Sequence, residues 1–310
     1  MKKIIITGAS GFLGQKLTQE LSVYYPESDI VTISRNCPKN LPKNTRFVQW
    51  NGTTLGSWSE EFENADAVIN LAGRSVDCRY NEKNKRDIME SRTITTHLIG
   101  KGIAESKNGP KVWLNAASAT IYEHTEDAPN TEESTRIGHG FSVEVCKAWE
   151  EAFWSYKNLG IRQIAMRTTI ILGKNGGVTV PLKNLTKLGM GGKMGSGKQW
   201  FSWMHEEDFC RVVIFFLENE KCAGAYNMAA PNPVSNKELH KVLRKTLGVP
   251  FGIPQPKFLL EFGAWLIGTE TELILKSRYV ISKRLPEEGF TYKFPTIDLC
   301  LKDIFSKQDN

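Results

Sequence analysis

The chain has 310 residues, 40% of them apolar, and a formal net charge of +6. That length supports one large α/β domain, or a domain with an appended lobe. No apolar run approaches the ~20 residues that a bilayer crossing needs. Glycines interrupt the stretch after Met1-Lys2-Lys3 before a signal-peptide core forms. The positive charge is dispersed apart from 83-KNKR-86, which reads as a solvated helix face. Neither nucleic acid nor a membrane is therefore an expected partner.

In chain order, Lys3–Thr7 reads as a strand and Phe12–Tyr25 as a helix with Leu13, Leu17 and Leu21 on one face. Strand-like runs recur at Ile30–Ser34, Arg46–Trp50, Ala67–Leu71, Val112–Ala116 and Ile161–Thr169, with a long polar helix at Glu82–Ser106. In 141-FSVEVCKAWEEAF-153 the spacing of Phe141, Val145, Trp149 and Phe153 makes one packed helical stripe. This βαβ rhythm predicts an α/β fold with a doubly wound parallel sheet of the Rossmann type.

The pattern changes near residue 175. Residues 1–175 are assigned to the dinucleotide-binding domain and 176–306 to a smaller C-terminal α/β substrate lobe, with 199–230 a candidate to complete the sheet. The glycines and lysines of 173–177 and 189–198 read as a flexible polar loop, or as a lid whose lysines meet phosphates. Then come a strand-like 199-QWFSWMH-205, a helix over Glu206–Glu218, a strand-like 225–229 and a helix capped by Ser235. Trp200 and Trp203 are read as sharing one strand face. From Pro250 to Ile304, proline-led turns alternate with helices.

The six cysteines, 37, 78, 146, 210, 222 and 300, form no C-x-x-C pair, and the five histidines no H-x-x-x-H. The expectation is reduced thiols in a cytoplasmic protein without a metal site.

The strongest motif is 6-ITGASGFLGQKL-17. Gly8, Gly11 and Gly14 follow a strand and open a helix, where glycines let backbone N–H groups approach a pyrophosphate. Ser10, Phe12 and Leu13 complete that loop. The second strand ends in Ser34 and Arg35, where an NAD enzyme places an acid for the ribose 2′-OH. An arginine suits a 2′-phosphate, so NADP is the expected cofactor, with NADPH preferred over NADH. Leu71, Ala72 and Gly73, in 70-NLAG-73, are small enough to lie against the adenosine half.

Together these residues resemble the short-chain dehydrogenase/reductase superfamily in its extended, sugar-nucleotide epimerase-like form. The TGASGFLG loop, the NLAG turn, 118-SATIY-122 and 199-QWFSWMHEEDF-209 lie in the same order and at similar intervals. The chain is similar above all to the atypical epimerase family of YfcH-like proteins, in 71-LAGRSV-76, 90-ESR-92, 145-VCKAWE-150, 172-LGKNGG-177, 191-GGKMGSGKQWFSW-203, 229-AAPNPVSNKEL-239 and 284-RLPEEGF-290. These stretches span nearly the whole chain.

The resemblance implies hydride transfer on a hydroxyl or carbonyl substrate, with Ser118 polarising the oxygen and a Tyr-x-x-x-Lys pair moving the proton. Here that pair is absent. Counting back from Glu150 places Ser142 and Cys146 at the two positions; counting from Glu151 places Val143 and Lys147. The resemblance favours the first register. Arg92, four residues before Thr96, takes the place of an asparagine. Cys146, Tyr122 or a water is the candidate proton carrier, and Arg92 is expected either to meet an anionic ligand or to form a salt bridge within the helix layer. His205 and Asp208 read as structural residues at a strand–helix junction. Two readings stand: an NADP-dependent oxidoreductase or epimerase-like enzyme acting on a small or nucleotide-sugar-like, possibly anionic, molecule; and an NADP(H)-binding sensor or scaffold. Oligomeric state is not legible.

Overall fold

A computed structural model describes residues 1–261 and 275–306. Seven parallel strands form the sheet: β1 (Lys3–Thr7), β2 (Asp29–Ser34), β3 (Thr45–Gln49), β4 (Ala67–Asn70), β5 (Val112–Ser118), β6 (Arg162–Thr168) and β10 (Gly224–Met228), in the spatial order β10-β6-β5-β4-β1-β2-β3. Alternating residues of each strand feed two separate cores, as a sheet covered on both faces requires. Ile4, Ile6, Ile30, Ile69, Leu114 and Met166 meet Leu17 and Leu21 of α1 (Phe12–Tyr24) and Phe209, Val213 and Phe216 of α5 (Glu206–Glu218). Ile5, Val31, Ile33, Val68 and Trp113 meet Ile99 and Ile103 of α2 (Glu82–Glu105) and Phe153 of α3 (Phe141–Trp154). The predicted elements of the first two thirds therefore form within a few residues of their expected bounds.

The strand order reverses at β1: β2 and β3 lie on one side, β4, β5, β6 and β10 on the other. The crevice at the carboxyl ends of β1 and β4 is thus the topological switch point, where open α/β sheets bind ligands.

Beyond β7 (Ile170–Leu172), between the two stretches read as a loop or lid, the chain forms a helix that the sequence reading did not assign. Val178 leads into α4 (Thr179–Leu185), extended through Met190 by a π-helical turn in which Gly189 takes φ +76°. Leu182 is buried here, so an apolar anchor inside the lysine-rich stretch makes the helix worth forming. Gly173 and Gly176 abut the Phe12 ring, and Gly192 packs on the backbone of Ile253, where a Cβ at either pair has no room. These glycines serve close packing, and Lys174 pairs with Asp303 at 3.3 Å.

The predicted strand 199–205 is two strands, β8 (Trp200–Phe201) and β9 (Trp203–His205), broken at Ser202, whose Oγ donates to the Arg278 carbonyl at 2.7 Å. The two tryptophans consequently part company, which corrects the single-face reading. Trp200 stacks on Tyr279 with 4.2 Å between ring centroids, whereas Trp203 is fully buried in the lobe core. A spacing of three residues puts side chains on opposite faces of a regular strand, and the break completes the separation.

The lobe core joins Trp203, β11 (Val234–Ser235), α6 (Asn236–Leu247) and α8 (Ile297–Phe305). Ser235 caps α6, its Oγ accepting from the Glu238 amide at 3.2 Å. A short α7 (Arg284–Glu287) carries Leu285 back into the sheet core, as β10 and α5 do earlier. Sheet and lobe thus exchange chain more than once past residue 175. The part of the reading of Pro250–Ile304 as turns and helices that falls on 262–274 lies outside the described residues. No helix of the described residues is long and apolar enough to cross a membrane.

Candidate functional site

Two apolar strands, β1 and β4, end on a polar residue at the switch point, and the neighbouring β5 carries Asn115 alongside, midway along its length. Thr7 Oγ1 donates to Asn70 Oδ1 at 2.7 Å, Asn70 Nδ2 donates to Asn115 Oδ1 at 2.7 Å, and the Ala72 amide donates back to Asn70 Oδ1 at 3.0 Å. All three side chains are buried, so the network pins the carboxyl ends of β1 and β4 to each other and to the middle of β5.

On this frame stands the glycine loop. Gly8 has φ +73°, and a Cβ there would lie 2.6 Å from the Leu71 carbonyl. Both facts demand glycine. Gly14 is likewise closed, against the Gly8 carbonyl, while Gly11 is exposed with only that same oxygen near, at 3.4 Å. Gly11 is also the N-cap of α1: no side chain caps the helix and no acid stands in its first turn. The amides at the start of α1 therefore keep capacity for an external anion, and the dipole favours one. Ser10 is exposed, and Phe12 and Leu13 are half-buried. Ala72 is buried beneath the loop, with Leu71 and Gly73 nearer the surface. This cradle fits a dinucleotide pyrophosphate.

At the end of β2, Ser34 is buried and its Oγ donates to the Asn36 carbonyl at 2.7 Å. Arg35 is exposed, and its guanidinium makes no hydrogen bond or ion pair among the described residues.

The second half of the site lies on β5 and α3. Ser118 ends β5, its Oγ accepting from the Thr120 amide at 3.2 Å. The helix turns Cys146 inward and leaves Lys147 exposed, so the row Ser142, Cys146, Glu150 faces the sheet. The Cys146 thiol donates to the Ser142 carbonyl at 3.1 Å and has Ser118 as a further partner. Burial pushes this thiol up to about 11, although Ser118 and the charges of Arg92 and Lys276 pull it down. It stays protonated at neutral pH.

Arg92 meets no carboxylate. Its guanidinium donates to the backbone carbonyls of Ile88 (2.9 Å) and Arg74 (3.0 Å) and lies over the Trp149 ring at 5.1 Å. Burial is the main influence on it and works against its charge. Of the two expectations for Arg92, the helix-layer salt bridge is not formed among the described residues; carbonyls and an aromatic face stand in its place, a weakly hydrated setting that suits guanidinium.

Tyr122 is buried, and its hydroxyl is fully used: it donates to Asn227 Oδ1 at 2.9 Å and accepts from Arg167 at 2.8 Å. Arg167 in turn grips Glu150 through two bonds of 2.8 Å. Burial raises the phenol against the opposing pull of Arg167. The geometry ties β5, β6, α3 and β10 together through this one hydroxyl.

His205 caps α5, its Nδ1 accepting from the Glu207 amide at 3.0 Å, and it stacks on Phe294. Asp208 accepts from the amides of Lys293 and Phe294 and so moors the carboxyl-terminal segment. Neither joins Ser118. Among the described residues, no group of His, Cys, Asp and Glu is placed to hold a metal ion.

Sequence reasoning passed over Asn70, Asn115, Arg167 and Lys276. The first two had a signal, since each is a lone amide among apolar strand residues, Asn70 at the end of β4 and Asn115 midway along β5. Arg167 had one as well, a charge directly after the apolar Ile164–Met166 of β6. Lys276 had none, because it reaches Cys146 from 130 residues further along the chain.

Residues 4–229 match the model of the NAD dependent epimerase/dehydratase family, and 255–304 match a domain of unknown function. The epimerase family protein YfhF of Bacillus subtilis is 31% identical over 304 residues, covering 98% of both chains. A Staphylococcus aureus epimerase family protein, SAR0825, is 27% identical over 99% of this chain and 100% of its own. Among solved structures, human epimerase family protein SDR39U1 with NADPH superposes with a TM-score of 0.84 at 27% identity, covering 97% of this chain and 98% of that one. The UDP-glucuronic acid 4-epimerase of Bacillus cereus, in complex with UDP-glucuronic acid and NAD, gives 0.77 at 16% identity over 97% and 96%, a likeness of fold. The glycine cradle at the β1/β4 switch point and a family match over most of the chain agree: this protein belongs to the NAD dependent epimerase/dehydratase family.

Proposed function

We propose that the protein is an NADP(H)-dependent oxidoreductase or epimerase-like enzyme acting on a small or nucleotide-sugar-like hydroxyl or carbonyl compound. The observation that carries the reading is the closed glycine cradle under the uncapped start of α1. NADPH in the human relative supports it, as does Arg35, which stands unpaired where an NAD enzyme has an acid.

When bound, the nicotinamide supplies or accepts a hydride at C4. The amides of Phe12 and Leu13 at the start of α1 would receive the pyrophosphate, the Gly11 amide being held by the Gly8 carbonyl at 3.1 Å, and Arg35 would receive the 2′-phosphate. Leu71, Ala72 and Gly73 back the adenosine half, and buried Ser34 shapes the turn. Ser118 Oγ orients the substrate oxygen. Cys146, beside it and protonated, holds the proton that the oxygen gains on reduction, and Arg92 stabilises the thiolate left behind. Reduction thus adds one hydride at carbon and one proton at oxygen. Tyr122 acts through Arg167 and Glu150 as a positioning residue.

The second reading, binding without turnover, draws on the same thiol. A group held near pH 11 donates a proton less readily than a tyrosine lowered by a lysine, which favours slow chemistry.

Titration of protein tryptophan and NADPH fluorescence tests the shared part. Binding below millimolar NADPH is expected, and its absence for both NADPH and NADH overturns both readings. Arg35→Glu should weaken NADPH at least tenfold more than NADH; equal losses refute the cofactor preference. Carbonyl-dependent oxidation of NADPH that survives in Cys146→Ala unchanged removes the thiol from the mechanism.

A further inference from the structure

Two rungs cross the seam between α2 and α3. Arg92 and Thr96 stand four residues apart on α2, and Cys146 and Trp149 three apart on α3, so each pair lies on one face of its helix. The first rung sets Arg92 opposite Cys146, whose thiol feels its charge. In the second, Trp149 Nε1 donates to Thr96 Oγ1 at 3.1 Å. A diagonal joins the two, since the Arg92 guanidinium lies over the Trp149 ring at 5.1 Å.

Thr96 is fully buried, and its hydroxyl oxygen takes a second donor, Asn70 Nδ2 at 3.4 Å. Asn70 also holds Thr7 and the Ala72 amide, and the backbone of Leu71 and Ala72 is what Gly8 packs against. One oxygen on α2 therefore accepts from the cofactor cradle and from the helix that carries the thiol. Both donors are shielded from water, so this acceptor fixes their directions. The carbonyls of Ile88 and Arg74 hold one edge of the guanidinium, and the indole holds its plane. Arg92 also borders the cradle itself, for a Cβ on Gly73 would lie 3.5 Å from its Cζ.

We propose that Thr96 is a positioning residue of the site: its hydroxyl oxygen sets the plane of the Trp149 indole, and through it the Arg92 guanidinium beside Cys146, in register with the cofactor cradle. The link rests on geometry alone; its use in proton transfer rests on the oxidoreductase reading, in which Arg92 stabilises the Cys146 thiolate. A side chain that only held α2 to α3 could be replaced by another of the same volume. The positioning role needs an acceptor at that point, so the hydroxyl decides and the volume does not. Register matters because the hydride is exchanged on the cradle side and the proton on the α3 side, and a misplacement of about 1 Å costs on the order of 100-fold in rate.

The test compares, in the full chain, Thr96→Val, which keeps the shape and loses the acceptor, with Thr96→Ser, which keeps the acceptor. Two resonances report position: the Trp149 indole Nε1–H, assigned with Trp149→Phe, and the Arg92 Nε–H, assigned with Arg92→Lys. Both should move in Thr96→Val and stay in Thr96→Ser. Adding 2′-phospho-ADP-ribose, which fills the cradle without a nicotinamide, should shift the indole resonance saturably in the wild type and in Thr96→Ser, and leave it unmoved in Thr96→Val. Alkylation of Cys146 by iodoacetamide, followed by peptide mass from about pH 7 to 10, should slow about threefold in Thr96→Val, because a displaced guanidinium lowers the thiolate less. Trp149→Phe breaks the same bond from the other side and should slow it as much, with the double variant no slower than either. An Arg92 resonance indifferent to Thr96→Val, an indole that still answers the cradle ligand there, a Thr96→Ser that behaves as Thr96→Val, or additive losses in the double variant overturns the proposal. Failure of both 2′-phospho-ADP-ribose and NADPH to bind overturns the cofactor reading instead, and the Arg92 and Cys146 readouts then decide the positioning role by themselves.

Discussion

The two halves of the site treat their polar groups in opposite ways. At the carboxyl ends of β1 and β2, the start of α1 has no cap and Arg35 has no partner. At the ends of β5 and β6, Tyr122, Arg167, Glu150 and Asn227 consume one another's hydrogen bonds. Buried polar groups must be satisfied by something. Where the protein does not satisfy them, a ligand finds its donors ready; where it does, the group is holding helices to the sheet. On this contrast we propose that Tyr122 positions its neighbours and does not itself meet a ligand.

Four measurements sharpen or break that contrast. Gly8→Ala should have the largest effect. It adds a Cβ 2.6 Å from the Leu71 carbonyl at a left-handed φ, so NADPH affinity should fall more than 100-fold, with about 3 kcal/mol of stability lost. Retention of tight NADPH binding would show that the cradle is not where the cofactor sits.

Next is Arg167→Met. It leaves the Glu150 carboxylate buried without its two bonds, and removing one partner of a buried pair costs about 3–5 kcal/mol. Urea denaturation should register this loss, while NADPH affinity changes less than threefold.

His240 probes whether every unsatisfied group marks a ligand site. It is fully buried on α6, neither ring nitrogen has a partner, and burial together with Arg244 lowers it to about 4. The unfolded chain binds this proton at ~6.5. Its contribution is therefore unchanged above that pH and is lost as pH falls from there through 4, on the order of 3 kcal/mol in all. His240→Leu should flatten that limb of the stability curve. If the limb is unchanged, the ring has a partner in solution.

The smallest effect belongs to Tyr122→Phe. Deleting its hydroxyl removes one bond from Arg167 and one to Asn227, about 1–2 kcal/mol. Any NADPH oxidation should drop no more than severalfold with an unaltered pH profile, whereas Ser118→Ala should lower it far more. A pH profile that shifts in Tyr122→Phe would return the phenol to the chemistry.

The strands along the chain, the glycine loop after the first of them and the acid-free end of β2 were legible because they follow from local rules. Alternation tells a strand, a 3.6-residue period tells a helix, and glycine spacing tells a turn that backbone must approach closely. Ser118 and Cys146 were legible through resemblance, as a helix missing its usual pair. The one-face reading of Trp200 and Trp203 overlooked that three residues along a strand reverse the side, a reversal that the break at Ser202 completes, whereas the helix at 179–185, which the sequence reading did not assign, depends on burial of Leu182 in a core shared with α6 and α8.

What the sequence by itself determined, then, is the strands and helices of the parallel sheet and the glycine loop after the first strand, since each is written in neighbouring residues. Tertiary structure alone decided how the charges were spent. It gave Arg92 two carbonyls and an indole, gave Tyr122 to Arg167, and brought Lys276 to His124 and Cys146. Those partners are set by how distant segments pack, and a side chain carries no local mark of which distant group will satisfy it.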